Sequence, residues 1–470
     1  MLSVAARPEL APFDRFDFSG GVVVAVSGGS DSTALLLLLE SHLDRRWPAA
    51  RLLAVTVDHA LRPGSSAEAE TVGRLCAARG IAHRIMRWSG PKPEAGVPAA
   101  AREARYRLLA EAARDAGLSL IATGHTADDQ AETVRMRQAR SGAADASGLA
   151  GMAPATLYDG AVWIVRPLLG TRRQVLRDVL REEKIGWTDD PTNADPRFER
   201  PRLREGAAGD DMRVRQALTT AGQAGREREE LARRAAYLVG AHAGRPVPGL
   251  VRLDPAFARV ADTAAAVHTL RVLLAVTGGT TFLPPKPVVE ALLAKLASGR
   301  ARATPTRATL SRCVVDARRA GIFLHREGRG LPVEKAEAGM VWDGRHRITF
   351  DDDGHDLVIA PRGEDTAPAK AVGAEGIPPS LAKAAAAAEP AVLRGPGGPV
   401  ADPITCPITG PITGIGSEKA RFQPVMAPWR LFLPGFDLPL ARAVAGLVGA
   451  PALPDPPFSG PIGVGRWSNA

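Results

Sequence analysis

The residue types that could do chemistry stand in two short stretches of this 470-residue chain. The first is Ser27-Gly28-Gly29-Ser30-Asp31-Ser32. Two glycines let a backbone come close to a phosphate, and the serines add hydroxyl donors. Asp31 is the odd member, because a carboxylate beside phosphates needs a cation or a proton to handle. The lysine of a GxxxxGK[ST] loop is missing, so ordinary kinase or GTPase chemistry is not indicated. The plainer alternative is a turn that caps a core helix. The second stretch is Gly124-His125-Thr126-Ala127-Asp128-Asp129-Gln130-Ala131-Glu132-Thr133. With a helix starting near Ala127, Asp128 and Glu132 share a face, Asp129 lies off it, and His125 sits in the turn before. An imidazole and two carboxylates at one strand end could bind magnesium, position an amine or move protons. An acidic first turn that merely suits the helix dipole is the competing reading. A phosphate loop on the same edge tips the balance toward a joint site.

Both stretches need strands to place them. Val22 to Val26 has the composition of a buried parallel strand, and the leucine-rich run after the glycine loop reads as a helix. Strand, glycine turn and helix together aim backbone N–H groups at an anion. Leu52 to Val57 reads as a second strand ending in Asp58-His59, with Ser66 capping a helix that runs to about Arg79. Ile81 to Trp88 and Leu118 to Thr123 read as further strands, with a helix from about Ala99 to Ala116 between them. Val162 to Val165 adds a strand, and Thr171 opens a helix. This alternation predicts an α/β fold with a doubly wound parallel sheet, whose ligands gather at the carboxyl ends of the strands. Ser27, Asp58 and Gly124 all fall there.

The expected organisation is an N-terminal extension over 1–20, a catalytic domain over 21–210 and a mainly helical domain over 211–330. A variable C-terminal region follows over 331–470. REREELARRAAYL, within Arg213 to Leu238, is a charged amphipathic helix, and two more helical segments flank Gly278-Gly279. An alanine run at Ala384 to Ala388 and three Pro-Ile-Thr repeats from Pro403 to Thr413 mark a low-complexity connector over about 384–418. The net charge of +9 and pI near 9.9 point to a polyanionic partner, although an arginine-rich composition can also reflect a GC-rich genome. Cys76, Cys313 and Cys406 are isolated, which argues against a zinc ribbon or a redox pair. No apolar run reaches membrane-spanning length, and the N-terminus lacks the apolar core of a signal peptide; a soluble, cytoplasmic protein is expected.

SGGSDS resembles the pyrophosphatase loop of the N-type ATP pyrophosphatases, the PP-loop enzymes with an adenine nucleotide alpha hydrolase-like domain. The remaining motifs narrow the resemblance to the tRNA(Ile)-lysidine synthetases. Val57-Asp58-His59 with Leu61-Arg62-Pro63-Gly64-Ser65, the Ala101-Arg102 to Arg107 stretch, Gly124 to Thr133 and Gly148-Leu149-Ala150-Gly151-Met152 each match a family segment. Asp190-Pro191-Thr192-Asn193 with Asp195 does so too. A weaker likeness touches Thr309-Leu310, Cys313, Arg326-Glu327 and Trp342-Asp343-Gly344-Arg345. Two departures stand out: Arg140 to Asp145 replaces a shorter RGSG stretch, and Arg200-Pro201 replaces Arg-Asn.

The resemblance implies a two-step reaction on the wobble cytidine of the CAU anticodon of tRNA(Ile). ATP adenylates the cytosine C2 oxygen and pyrophosphate leaves; free lysine then attacks C2 and expels AMP. It implies ATP on Ser27, Gly28, Gly29, Ser30, Asp31 and Ser32. Asp31 and Glu132 would bind Mg2+ or deprotonate the lysine ammonium, while His125, Asp128 and Arg62 orient nucleotide, amino acid or cytosine. The helical domain would grip the tRNA. Two rivals remain at this point. A tRNA thiolase of the same ATP-activating class commonly needs the paired cysteines this chain lacks. A non-catalytic tRNA-binding module would not need Asp31, His125 and Glu132.

Overall fold

A computed structural model describes residues 8–61, 64–140, 146–188, 211–298, 306–350, 357–363, 376–394 and 420–458. Arg62, the segment from Asp190 to Asp195, Pro201 and the Pro-Ile-Thr repeats lie outside the described residues. The chain divides into two units, 1–229 with 434–436 and 454–470, and 230–433 with 437–453.

The first unit is built on a mostly parallel sheet. β1 (Val22–Ala25), β2 (Leu52–Asp58), β3 (Ala82–Arg87), β4 (Leu120–Thr123), β5 (Ala155–Tyr158) and β6 (Val162–Val165) run in the order β5-β6-β4-β1-β2-β3. β1 pairs in parallel with β2 (Val22 opposite Leu52) and with β4 (Val23 opposite Ile121). β1 is buried along its whole length, as its unbroken valine run requires of a central strand with helices on both faces. α1 (Ser30–Arg46) follows the glycine loop, α2 (Ser65–Ala78) follows β2, and α3 (Val97–Asp115), α4 (Ala127–Arg140) and α5 (Arg173–Glu182) complete the set.

Several expected boundaries move, each for a physical reason. β3 begins at Ala82 and ends at Arg87, because it is an edge strand with most residues exposed. β4 starts at Leu120, after a turn in which the Leu118 N–H donates to the Ala113 carbonyl. β5 was not anticipated: it pairs antiparallel with β6 through a tight turn at Asp159-Gly160. Ser66 is not the cap of α2. Gly64, at φ +92°, takes that position, and the Ser66 hydroxyl instead donates to Asp58 Oδ2. Phe13 and Phe18 belong to the core and pack around His42 at ring distances of 5.5 and 5.9 Å.

The second unit begins within the long helix Asp211–His242. It continues as an antiparallel sheet, β7 (Ala243–Val247), β8 (Leu250–Leu253), β9 (Thr306–Leu310), β10 (Cys313–Arg318) and β11 (Gly321–Arg326), ordered β7-β8-β11-β10-β9. Helices Thr263–Gly278 and Lys286–Ala297 come between β8 and β9. Two further three-stranded sheets follow. The expected connector is corrected where it is described: Pro379–Ala387 is a helix and Pro390–Arg394 a strand. Ala385, Ala386 and Ala388 are buried there, so the alanine run is small-residue packing.

Arg326 and the Trp342-Asp343-Gly344-Arg345 stretch become one buried ion network. Asp343 accepts from Arg326 Nε at 3.0 Å and Arg345 Nε at 2.7 Å, and it pairs with Arg312 as well. Arg345 Nη1 also reaches Glu389 Oε1 at 2.8 Å, and His346 Nε2 lies 3.3 Å from Glu389 Oε2. Burial alone would raise the Glu389 pKa, but His346 and Arg345 bring it down to about 2. Among the described residues no helix is long and apolar enough to cross a membrane.

Candidate active site

The two stretches meet because β1 and β4 are neighbours in the sheet. A Cβ on Gly124 would stand 2.9 Å from the Asp31 carbonyl and 3.0 Å from the Ser32 Cα. Only glycine lets the end of β4 lie that close to the first turn of α1. The loop itself is closed by its serines. Ser32 Oγ accepts the Ser27 N–H at 3.1 Å and donates to the Gly29 carbonyl at 3.2 Å, and the Ser27 and Ser32 hydroxyls lie 3.1 Å apart. Ser30 Oγ donates to Asp31 Oδ1 at 2.9 Å. The first intrahelical bond of α1 runs from the Thr33 N–H to the Gly29 carbonyl. Helix geometry gives the amides of Ser30, Asp31 and Ser32 no carbonyl one turn back, so they are the N–H groups suited to a phosphate.

The second stretch starts with a reciprocal cap. Asp129 Oδ2 accepts from the Thr126 N–H and hydroxyl, both at 2.8 Å, while Thr126 Oγ1 accepts the Asp129 N–H at 3.4 Å. His125 Nδ1 lies 3.0 Å from Thr123 Oγ1. Gln130 exchanges two hydrogen bonds with the Met152 backbone, at 3.1 and 2.8 Å. Arg137 Nη1 donates to the carbonyls of Gly148 and Gly151. The Gly148 to Met152 turn is therefore a latch for α4. Ala127, Ala131 and Val134 bury the opposite side of α4 against Val214, Ala217, Leu218 and Ala221 of the long helix.

Two arginines that sequence reasoning did not single out organise the acidic residues. Arg173 Nε donates to Asp31 Oδ2 at 2.8 Å, and its Nη2 donates to Asp129 Oδ1 at 3.0 Å. Glu132, buried one helical turn away, adds to the negative potential around that guanidinium. Burial would lower the Arg173 pKa, but Asp129, Asp31 and Glu132 raise it. Burial raises Asp31, Arg173 opposes that, and Asp129 adds to it; the net direction is up. Asp128 points to α5 instead. Its Oδ2 accepts the Arg173 N–H at 2.8 Å and its Oδ1 lies 3.2 Å from Arg172 Nη2. Asp128 thus bonds the backbone of Arg173, while Glu132 acts on its guanidinium by charge. Asp129, off that face, stands in the charge cluster with Asp31. A TRR sequence after a buried strand was the available signal, and a basic residue there reads as solvated until the sheet brings it beside Asp31.

Asp58 holds its own loop. Its carboxylate accepts from the Ala60 N–H and from the Ser65 and Ser66 hydroxyls at 2.9, 2.7 and 2.8 Å. Burial alone would raise its pKa, but these donors leave it below the ordinary value. Arg62, the remaining expected site residue, is outside the described residues. No group of three or more His, Cys, Asp or Glu is placed to cage a metal among the described residues. The carboxylate donor set still suits a hard cation borne by phosphates, because magnesium on a nucleotide needs only one or two protein carboxylates.

A profile of the PP-loop domain family matches residues 9–208. A tRNA(Ile)-lysidine synthase of Mesorhizobium japonicum is 53% identical over 97% of this chain and 98% of its own length. A tRNA(Ile)-lysidine synthase of Rhizobium meliloti is 38% identical over 93% of each chain. One of Brucella ovis is 42% identical over 73% of this chain and 77% of its own.

Proposed function

This chain belongs to the tRNA(Ile)-lysidine synthase family, and we propose from that premise that it joins free L-lysine to C2 of the wobble cytidine in the CAU anticodon of tRNA(Ile). It is an ATP-using ligase that forms a carbon–nitrogen bond. The observation that carries the finer reading is the placement of the Ser27–Ser32 loop directly against the Gly124 turn, with Asp31, Asp129 and Glu132 around one edge.

The first step transfers AMP from ATP to the cytosine C2 oxygen and releases pyrophosphate. The amides of Ser30, Asp31 and Ser32 receive the phosphate charge. Asp31, with Glu132 as the alternative carboxylate, would hold a magnesium ion that arrives on the nucleotide; when bound, it offsets phosphate charge. In the second step the lysine ε-amine attacks C2 and AMP leaves. An ammonium has no lone pair, so a carboxylate of this edge must take its proton first. His125 and Arg62 are assigned to orienting the substrates. Asp128 acts through α5, as a positioning residue. The reaction belongs in the cytoplasm, where tRNA is available.

Sulfur chemistry fits the residues poorly. Cys76 and Cys313 are both buried, and burial pushes the Cys76 thiol up to about 11, away from the reactive thiolate. The test is pyrophosphate release from ATP with tRNA(Ile), with and without lysine. Release should need the tRNA but not lysine, because adenylation precedes attack. Strict dependence on lysine would contradict the two-step order.

A further inference from the structure

We propose that Arg173 is the resident cation of the active-site carboxylates, holding Asp31 and Asp129 together until a nucleotide-borne metal takes Asp31 over. The inference rests on the reading of Asp31 as the carboxylate that meets that metal. Its starting point is the way the guanidinium divides its bonds. Nε serves Asp31 at 2.8 Å and Nη2 serves Asp129 at 3.0 Å, so one carboxylate can be released while the other stays bound. A bidentate fork on a single carboxylate would not allow this.

The root of the side chain is fixed independently. The Arg173 backbone N–H is the first N–H of α5 and is held by Asp128 Oδ2 at 2.8 Å. Losing Asp31 therefore leaves the helix in place. Charge balance asks for such a cation: Asp31, Asp129 and buried Glu132 converge on this edge, and carboxylates that close repel unless compensated. This loop has no phosphate-loop lysine to do it. A compact divalent ion and the guanidinium compete for Asp31 Oδ2, so metal enters readily only when phosphates bring it.

The experiment titrates the full-length protein with Mn2+ and reads protein-bound Mn2+ by electron paramagnetic resonance, with and without ATP, each titration set against a matched one lacking protein. Wild type should bind Mn2+ weakly alone and tightly with ATP. Arg173→Gln, checked for folding by thermal melting, should bind Mn2+ without ATP roughly tenfold more tightly than wild type. Asp129→Asn should act in the opposite sense, since Arg173 then bonds Asp31 alone and Mn2+ binding in the presence of ATP weakens. A folded Arg173→Gln with no gain overturns the proposal. Should that variant fail to fold, unchanged or tighter Mn2+ binding by Asp129→Asn with ATP overturns it equally. Wild type that binds no Mn2+ even with ATP removes the metal role of Asp31 itself, and the inference falls with it.

Discussion

At Gly28 the backbone φ is +84°, and the carbonyl accepts the Thr188 N–H at 2.9 Å. At Gly29 φ is −75°, and among the described residues an added Cβ would meet only Ser27 Oγ at 3.7 Å and the Thr188 carbonyl at 3.8 Å. The first glycine is required by the turn; the second has no such requirement, which fits the proposal that a phosphate approaches it. Gly29→Ala should therefore melt like the wild type yet lose roughly tenfold or more of its pyrophosphate release, about 1.4 kcal/mol. Gly28→Ala should lose on the order of 1 kcal/mol of stability as well. Unimpaired release by Gly29→Ala would mean that no phosphate lies against that residue. Composition identified both glycines but could not divide their tasks, because backbone angles are invisible in the letters. The same limit hid Arg173, whose partners are 142 and 44 positions away.

β1, β2, β4 and β6 were legible because a strand buried on both faces reads as a continuous apolar run. β5 was not, being four residues joined to β6 by a tight turn. α5 shows a different obstacle. Thr171 was expected to open it, but the helix begins at Arg173, and the acceptor for its first N–H is Asp128 on another helix. A cap that comes from a distant element leaves no local signature. Asp128→Ala should thus destabilise the protein by about 1 kcal/mol, the ordinary value of a lost cap, and slow adenylation by letting Arg173 drift. Asp128→Asn keeps an acceptor and should recover most of the stability. The measurement is thermal melting beside pyrophosphate release. An Asp128→Ala protein as stable as wild type but inactive would place Asp128 on the substrate instead.

On the scale of the whole chain, legibility fell off after the first unit. The expected connector contains a packed helix and strand, because alanine serves both flexible and tightly packed segments. Arg326, Asp343 and Arg345 carried only a weak family likeness in the sequence, and together with Glu389, which it did not single out, they are buried partners of one another. Charges of that kind are tolerated in a core only when each is paired. The basic balance of +9 is the remaining large-scale feature, and it bears on the tRNA. Contacts that grip phosphates weaken as salt rises, while the choice of nucleophile does not. The joining of lysine to one cytidine is read by labelled lysine incorporation into tRNA(Ile) and tRNA(Met), both with CAU anticodons. Nucleosides are then identified by mass. ATP-dependent label should enter tRNA(Ile) alone and be recovered as lysidine from the wobble position, with a yield that falls as salt increases. Label in both tRNAs, or an ATP-dependent product that contains no lysine, would contradict the proposed function.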